Sequence, residues 1–207
     1  MSGVTELLRH PALWRGDDAG ALATVSTGFR LLDARLPGGG WPLATLIEFL
    51  VPAAGVGEVR LLLPALRALA ARAAEEKPRW IAWLAPPHLP YAPAIAEAGL
   101  DPARMLVIRP RAGLDLLWAM EQSLRSGACA AVLGWIGEAR DQALRRLKLA
   151  AEEGGSPAFL FRPSQHRDES SPATLRLALA ARDDGLDVEI LKSRGGAPAR
   201  IERLRIH

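Results

Sequence analysis

The sequence predicts an α/β protein in which a mainly parallel sheet is flanked by helices and closed by antiparallel C-terminal strands. Two observations carry this prediction. From residue 46 to residue 163, apolar runs alternate strictly with segments of helical periodicity, a pattern typical of a parallel sheet covered on both faces. After residue 173 the helical segments stop and three runs follow with short turns. In the first of these runs Leu175, Leu177 and Leu179 alternate with other residues, Arg176 among them, as in a half-buried strand.

The N-terminal elements follow from local signals. Residues 1–25 are predicted to form a short helix, "VTELLRH", and a loop, and residues 26–207 to form one domain. Ser26 or Thr27 is expected to cap a short helix that "PGGG" terminates. "LATLIEFLV" has the composition of a buried strand, and a helix is predicted from Glu58 to residue 74. Pro64 is expected to kink that helix or shorten its start.

The remaining elements alternate as the fold class requires. Trp83 and Trp118 fall within apolar periodicity and are predicted to be core residues. The predicted strands are "RWIAWLA", "ARMLVIRP", "CAAVLGWI", "PAFLFRP", "ATLRLALAAR", "GLDVEILKSR" and "ARIERLRIH". The predicted helices are "YAPAIAEAGL", "GLDLLWAMEQSLRSG" and "EARDQALRRLKLAAEEGG".

Composition narrows the class of protein. A chain of 207 residues that is 49% hydrophobic can bury a sizeable core in one domain. No run reaches the roughly 18 apolar residues of a membrane span, and the N-terminus has no signal-peptide pattern, so we expect a cytoplasmic protein. A single cysteine, Cys129, excludes an internal disulfide and a cysteine-built zinc site, and the four histidines lack metal-ligand spacing. We therefore predict no bound metal.

The stretch "VPAAGVGEVRLLLPAL" lies where a phosphate-binding loop would join a buried strand to a helix. Such a loop needs glycines, then a lysine for the phosphate oxygens and a hydroxyl for magnesium. If Gly57 is the last glycine of the motif, Pro52 stands at the first, Glu58 at the lysine and Val59 at the hydroxyl. Gly55 is the other glycine that remains. The loop is thus predicted to be degenerate, without a nucleotide cofactor, since Glu58 would repel polyphosphate.

The order of segments resembles the RecA family. "STG", "LD" and a glycine-rich turn precede the strand that feeds the loop, and the resemblance extends from about Val25 to about Val188. Within that superfamily the chain resembles ImuA-type proteins and their relatives, the SulA-type division inhibitors. The residues that favour the ImuA type are "GVGE" followed by "RLLLPAL", then "FRP" after the last core strand and "LRL" beyond it.

The resemblance implies a RecA-like core without catalytic residues. The place of the magnesium-supporting aspartate holds Gly134 and Trp135, and that of the catalytic glutamate falls near Pro87, with His88 beside it. The ImuA type implies a non-catalytic adaptor in DNA-damage-induced (SOS) translesion synthesis and mutagenesis. Its expected partners are ImuB and the error-prone DnaE-type polymerase, with RecA as a further candidate. DNA contact is expected to be weak, and the protein nucleoid-associated when engaged.

Two alternatives remain open at this point. A SulA-type inhibitor would share the fold and bind the tubulin-like division protein FtsZ. A RecA-type ATPase with displaced catalytic groups would be stabilised against heat by nucleotide, because a ligand that binds the folded state alone shifts unfolding by mass action.

Candidate contact residues are arginines and tryptophans near loops. A first RecA-type DNA loop is essentially absent after "GWIG", and the second, residues 162–173, carries mixed charge around His166. Arginines on one helix, in that loop and in the C-terminal strands are candidates for a partner or DNA surface, although solvated faces are common. The predicted set is Trp14, Trp41, Trp135, Arg140, Arg145, Arg146, Arg162, Arg167, Arg194, Arg200, Arg203 and Arg205.

Overall fold

An eight-stranded sheet forms the centre of the protein in a computed structural model that describes residues 23–76, 79–110 and 113–206. A small two-stranded antiparallel sheet, β1 with β2, lies beside it. The strands are β1 (Thr24–Val25), β2 (Trp41–Pro42), β3 (Leu46–Val51), β4 (Trp80–Leu84), β5 (Met105–Ile108), β6 (Cys129–Trp135), β7 (Ala158–Pro163), β8 (Leu175–Arg182), β9 (Gly185–Ser193) and β10 (Ala199–Leu204).

The strand order in the large sheet is β10-β9-β8-β3-β7-β6-β4-β5. The strands from β8 to β5 pair in parallel, whereas β9 and β10 pair antiparallel to their neighbours. The predicted parallel core with an antiparallel C-terminal end is therefore confirmed. Strands β3 and β7 lie in the middle of the sheet, so the loops that follow them emerge near each other at its carboxyl edge.

Helices connect the successive parallel strands from β3 to β7, as is usual in a parallel sheet, whereas a loop with one 3₁₀ turn connects β7 to β8. The helices are α1 (Arg30–Asp33), α2 (Glu58–Glu76), α3 (Ala92–Glu97), α4 (Gly113–Arg125) and α5 (Asp141–Gly154). Short 3₁₀ turns occupy Pro37–Gly39, Pro102–Arg104 and Ser164–His166. Helix α5 ends where the sequence predicts, because Gly155 adopts a left-handed conformation with φ 67°. None of the described helices is long and apolar enough to cross a membrane.

The apolar core forms a layer on each face of the sheet. On one face, leucines of α2 pack against aromatic residues of the central strands, including Phe49, Phe159 and Phe161. On the other face, α4 and α5 cover the sheet with Met120, Leu144 and their neighbours. Each helix contributes one apolar stripe, so the two layers hold the sheet between them.

Pro64 does not shorten the start of α2, so that alternative of the prediction is wrong. The helix runs from Glu58 to Glu76 with Pro64 inside it. The ring instead packs against the chain entering the domain: a Cβ atom at Gly28, which has φ 84°, would lie 2.4 Å from the Cβ of Pro64. The glycine of "STG" is therefore needed both for its backbone conformation and for close approach to α2.

The two tryptophans predicted to be core residues differ in the structure. Trp83 is buried in β4, as predicted. Trp118 is 62% exposed, so that prediction is wrong. The buried stripe of α4 is formed by Leu116, Met120 and Leu124, and Trp118 lies two residues from Leu116, roughly 200° around the helix.

Candidate functional site: the phosphate loop and its groove

The degenerate loop lies between β3 and α2, as the sequence predicts. Its glycines are necessary, since Gly55 and Gly57 have φ of 86° and 107°. A Cβ atom at Gly57 would also lie 2.4 Å from Cδ1 of Ile206, so the C-terminal segment packs against the loop. The turn between β3 and α2 thus requires both glycines, and Pro52 and Val59 flank them at two other positions of the predicted motif.

Glu58 fills the place that an anion would take in such a loop. Its carboxylate accepts hydrogen bonds from the backbone N–H of Gly55, at 2.9 Å, and of Gly57, at 3.1 Å. The residue is buried and begins α2, where the helix dipole favours negative charge. The sequence predicts repulsion of phosphate by Glu58; the structure adds that this carboxylate uses the loop amides itself.

A groove of about 320 Å³ adjoins the loop. One wall is the start of α2, and the opposite wall is the segment from Pro86 to Tyr91 with the first turns of α3. The ends of β4 and β6 contribute Trp83 and Trp135, whose rings stack 5.7 Å apart at 19°. The groove lies where the loop, the expected magnesium position and the expected catalytic-glutamate position converge.

The chemistry of the groove differs from that of a hydrolase. Trp135 occupies the end of β6, Pro87 and His88 follow β4, and all three line the groove. Of the described residues that line the groove, Glu58 carries the one carboxylate, and the loop amides occupy both of its oxygens. The indole nitrogens of Trp83 and Trp135 find no hydrogen-bond partner within the described residues.

Two of the predicted contact residues are buried and do not form an accessible surface. Trp41 is fully buried, with its ring edge-on to Phe49 at 5.5 Å and to Phe159 at 6.3 Å. The glycine-rich turn before Trp41 predicts a position at the surface, but β2 pairs with β1 and the side chain of Trp41 lies in the core. Arg162 is 1% exposed and belongs to a buried ionic cluster.

That cluster is centred on Glu48 of the central strand β3. Arg162 donates to Oε1 of Glu48 at 2.8 Å, and Arg176 donates to Oε2 at 2.6 Å. Arg176 also donates to the backbone carbonyls of His166 and Glu169, so it fixes the loop after β7 on the sheet. The loop that resembles a DNA-binding loop is therefore bonded to the core. The sequence carries a signal for this cluster that the motifs do not: Glu48 is a single charge inside the apolar run "LIEFL", and Arg176 is a single charge inside "LRLAL".

Most of the other predicted arginines are paired with carboxylates. Their partners are Asp141 for Arg145, Glu121 for Arg146, Glu189 for Arg167, Asp187 and Glu202 for Arg200, and Asp184 for Arg203. The hydrogen bonds that Arg167 donates to the Glu189 carboxylate raise the pKa of Arg167. The backbone N–H of Arg203 and the guanidinium of Arg182 lower the pKa of Asp187 to about 2.

Three predicted arginines, Arg140, Arg194 and Arg205, are exposed and form no ion pair with the described residues. They lie on separate elements, before α5, after β9 and after β10. Trp14 lies outside the described residues. The structure therefore does not collect the predicted arginines into one basic site.

The fold and the loop define a class of protein: an α/β domain whose glycine loop after β3 holds a carboxylate of its own chain on its backbone amides. The family model described as "SulA: Cell division inhibitor SulA" matches residues 52–157, more than half of the chain. This region begins at the loop and ends just before β7. The chain belongs to the SulA family.

Curated relatives carry the same description. A protein named "Cell division inhibitor SulA" from Serratia proteamaculans is 31% identical over 107 residues, which is 52% of this chain and 61% of that protein. A protein of the same name from Yersinia enterocolitica is 31% identical over 120 residues, or 57% of this chain and 68% of the relative. One from Yersinia pestis is 33% identical over 104 residues, or 50% and 59%. The chain spans about three fifths of the length of these relatives.

A solved structure, "Crystal structure of SulA from Pseudomonas aeruginosa", is 26% identical to this chain. It aligns over 56% of this chain and 97% of its own, with a TM-score of 0.44.

The prediction of an ImuA-type adaptor in translesion synthesis and mutagenesis is wrong, because the family match and the curated relatives are SulA division inhibitors. The prediction that ImuB and the DnaE-type polymerase are its partners is wrong for the same reason, and RecA was expected only as part of that interpretation. The misleading residues were "GVGEVRLLLPAL", which lie inside the region that the SulA model matches and so do not separate the two types.

Proposed function

We propose that this chain is a non-catalytic cell division inhibitor of the SulA type, which acts by binding the tubulin-like division protein FtsZ in the cytoplasm. The observation that carries this proposal is the SulA family match across residues 52–157, supported by relatives named cell division inhibitors. The match includes the loop, α2 and both walls of the groove, so the region shared with the family is also the region with an accessible apolar cleft.

The filled loop supports a binding role rather than catalysis. Nucleotide hydrolysis on such a loop depends on amides and a lysine directed at the phosphates. Here Glu58 takes the lysine position and holds the amides of Gly55 and Gly57. A phosphate group would have to displace this carboxylate from its hydrogen bonds. The loop therefore favours a protein that binds its partner without a nucleotide over one that hydrolyses a nucleotide.

The same proposal includes a RecA-like origin of the fold and the bounds of its domain. A strand, a glycine loop and a helix, followed by further parallel strands, support descent from a RecA-like core in which the loop has lost its nucleotide. We take residues 26–207 as one such domain and residues 1–25 as an N-terminal segment. Strand β3 and strands β7 to β10 lie outside the matched region and together form one side of the sheet.

The test is inhibition of FtsZ assembly by the purified full chain. FtsZ is polymerised with GTP, polymers are collected by sedimentation, and the chain is added at increasing molar ratio. We expect polymer to decrease as the ratio approaches equimolar, with the chain remaining bound to unpolymerised FtsZ, and the same result with or without ATP. Unchanged polymer at molar excess would refute the proposed function. Inhibition that requires ATP would refute the non-catalytic role of the loop.

A further inference from the structure

The groove beside the loop has an exposed apolar rim. Leu89 is 69% exposed and Tyr91 is 71% exposed, and both line the groove together with Pro87 and Pro90. The opposite wall contributes Leu63 and Val59 from α2. Large apolar side chains gathered around a cleft are typical of a contact site. The volume of about 320 Å³ lies at the lower end of the range of ligand pockets, about 300–1000 Å³.

Two tryptophans that line the groove have buried indole N–H groups without an acceptor within the described residues. Trp83 is 2% exposed and lines the groove, yet its indole N–H has no acceptor within the described residues. The same holds for the indole N–H of Trp135. A buried indole N–H ordinarily finds a partner, since leaving it unsatisfied costs free energy. Trp41 also lacks an acceptor, but it lies in the core away from the groove.

The free charge on the groove walls is positive. Arg60 is exposed on its α2 wall and forms no ion pair with any described residue. His88 lies on the opposite wall. Glu58, the carboxylate at the end of the groove, is buried and committed to the loop amides. The open part of the groove therefore favours an occupant that brings apolar side chains and negative charge.

A nucleotide meets only part of this description. Its phosphates need the loop amides that Glu58 occupies, and the charge of Glu58 repels them at short range. An acidic peptide brings its negative charge on side chains that reach Arg60 and leaves the loop untouched. Its apolar side chains match the exposed rim formed by Leu89 and Tyr91.

We propose that this groove binds an extended acidic segment of the division protein, with an apolar side chain between Leu89 and Tyr91 and a carboxylate on Arg60. This inference rests on the proposed function and names the surface and the chemistry by which the chain holds FtsZ. It places the contact on the face where a nucleotide site has been lost.

The experiment measures the Kd of the full chain for purified FtsZ with two groove variants and two matched controls. Arg60→Glu reverses the free charge in the groove, and Arg72→Glu makes the same change on an exposed position of α2 that does not line it. Ala94→Arg fills the groove from α3, and Ala96→Arg places the same side chain on an exposed position of α3 outside it. Melting temperatures of all four variants establish that they fold.

We expect Arg60→Glu and Ala94→Arg each to weaken binding by about tenfold or more, as for a lost interfacial charge contact or a blocked pocket. Arg72→Glu and Ala96→Arg should stay within about twofold of the unsubstituted chain, as for remote surface changes. If the unsubstituted chain binds FtsZ and all four variants bind equally well, the groove proposal is wrong while the proposed function stands. If the unsubstituted chain does not bind FtsZ, both are wrong.

A parallel measurement tests the competing occupant. Melting temperatures are recorded with ATP or ADP and magnesium, for the unsubstituted chain and for Ala94→Arg. We expect no stabilisation of either. Stabilisation of the unsubstituted chain that Ala94→Arg abolishes would assign the groove to a nucleotide and overturn the peptide proposal.

Discussion

Two buried glutamates, ten residues apart, are stabilised in opposite ways. Glu58 receives its hydrogen bonds from backbone amides of the same loop, those of Gly55 and Gly57. Glu48 receives its bonds from two arginine side chains that lie 114 and 128 residues further along the chain. One carboxylate thus maintains a local shape, and the other joins β3 to β7 and β8. The comparison teaches that burial of a charge does not reveal its role until its partners are known.

The largest effect is expected from Glu48→Ala. Removing this carboxylate leaves Arg162 and Arg176 in the core without their common partner, which costs about 3–5 kcal/mol in the free energy of unfolding for a broken buried ion pair. Urea denaturation followed by circular dichroism measures the loss. The matched control is Glu189→Ala, which removes a carboxylate paired with the part-exposed Arg167 and should cost about 1 kcal/mol or less. Equal losses in the two variants would contradict a structural role for the Glu48 cluster.

Replacing the whole cluster sharpens this prediction. In a variant with Glu48→Leu, Arg162→Met and Arg176→Met, no charge is left unpaired, so much of the lost stability should return. Arg176 also bonds the carbonyls of His166 and Glu169, so the loop after β7 should become more accessible to protease even when stability recovers. Recovery of stability without increased cleavage would show that Arg176 does not hold the loop.

A smaller effect is expected from Glu58→Ala, which removes one local acceptor. Two partly buried loop amides lose their partner, at about 1–3 kcal/mol. Because the vacated position lies at the N-terminus of α2, inorganic phosphate should raise the melting temperature of this variant more than that of the unsubstituted chain. The matched control, Glu97→Ala on exposed helix α3, should show neither effect. An identical phosphate response in all three proteins would refute the interpretation that Glu58 fills an anion position.

The comparison also shows what the sequence can predict. The loop around Glu58 was located from sequence because its strand, glycines and helix are consecutive, and the parallel-to-antiparallel change followed from local periodicity. The Glu48 cluster was not predicted, since its partners are adjacent only after β8 pairs with β3, where Glu48 lies opposite Arg176. Trp118 was misplaced for a related reason: helical spacing shows that an apolar face exists, but not how far its neighbours cover it. The groove was not predicted either, because its lining comes from three segments that are separate in the sequence and meet only in the fold.

The smallest effect is expected from Asp187→Asn, which tests an intermediate case: a nearly buried carboxylate with partners at the surface. Arg182 and Arg200 donate to its Oδ2 and the backbone N–H of Arg203 to its Oδ1. These bonds lower the pKa of Asp187 from 3.8 to about 2 in the folded protein. A lowered folded-state pKa gives stability that is present above pH 3.8 and is lost as the pH falls towards 2.

Asp187→Asn should therefore flatten the decline of the unfolding midpoint between about pH 4 and pH 2, while lowering the midpoint slightly at neutral pH. Asp183→Asn, at the neighbouring turn, is the matched control and should leave the acid decline unchanged. If both variants decline as steeply as the unsubstituted chain, the bonds to Asp187 do not persist in solution. A flattened decline would place Asp187 between the two glutamates. Like Glu48 it is bonded to arginine side chains, but these lie only 5 and 13 residues away and are exposed to water, so breaking its bonds costs far less.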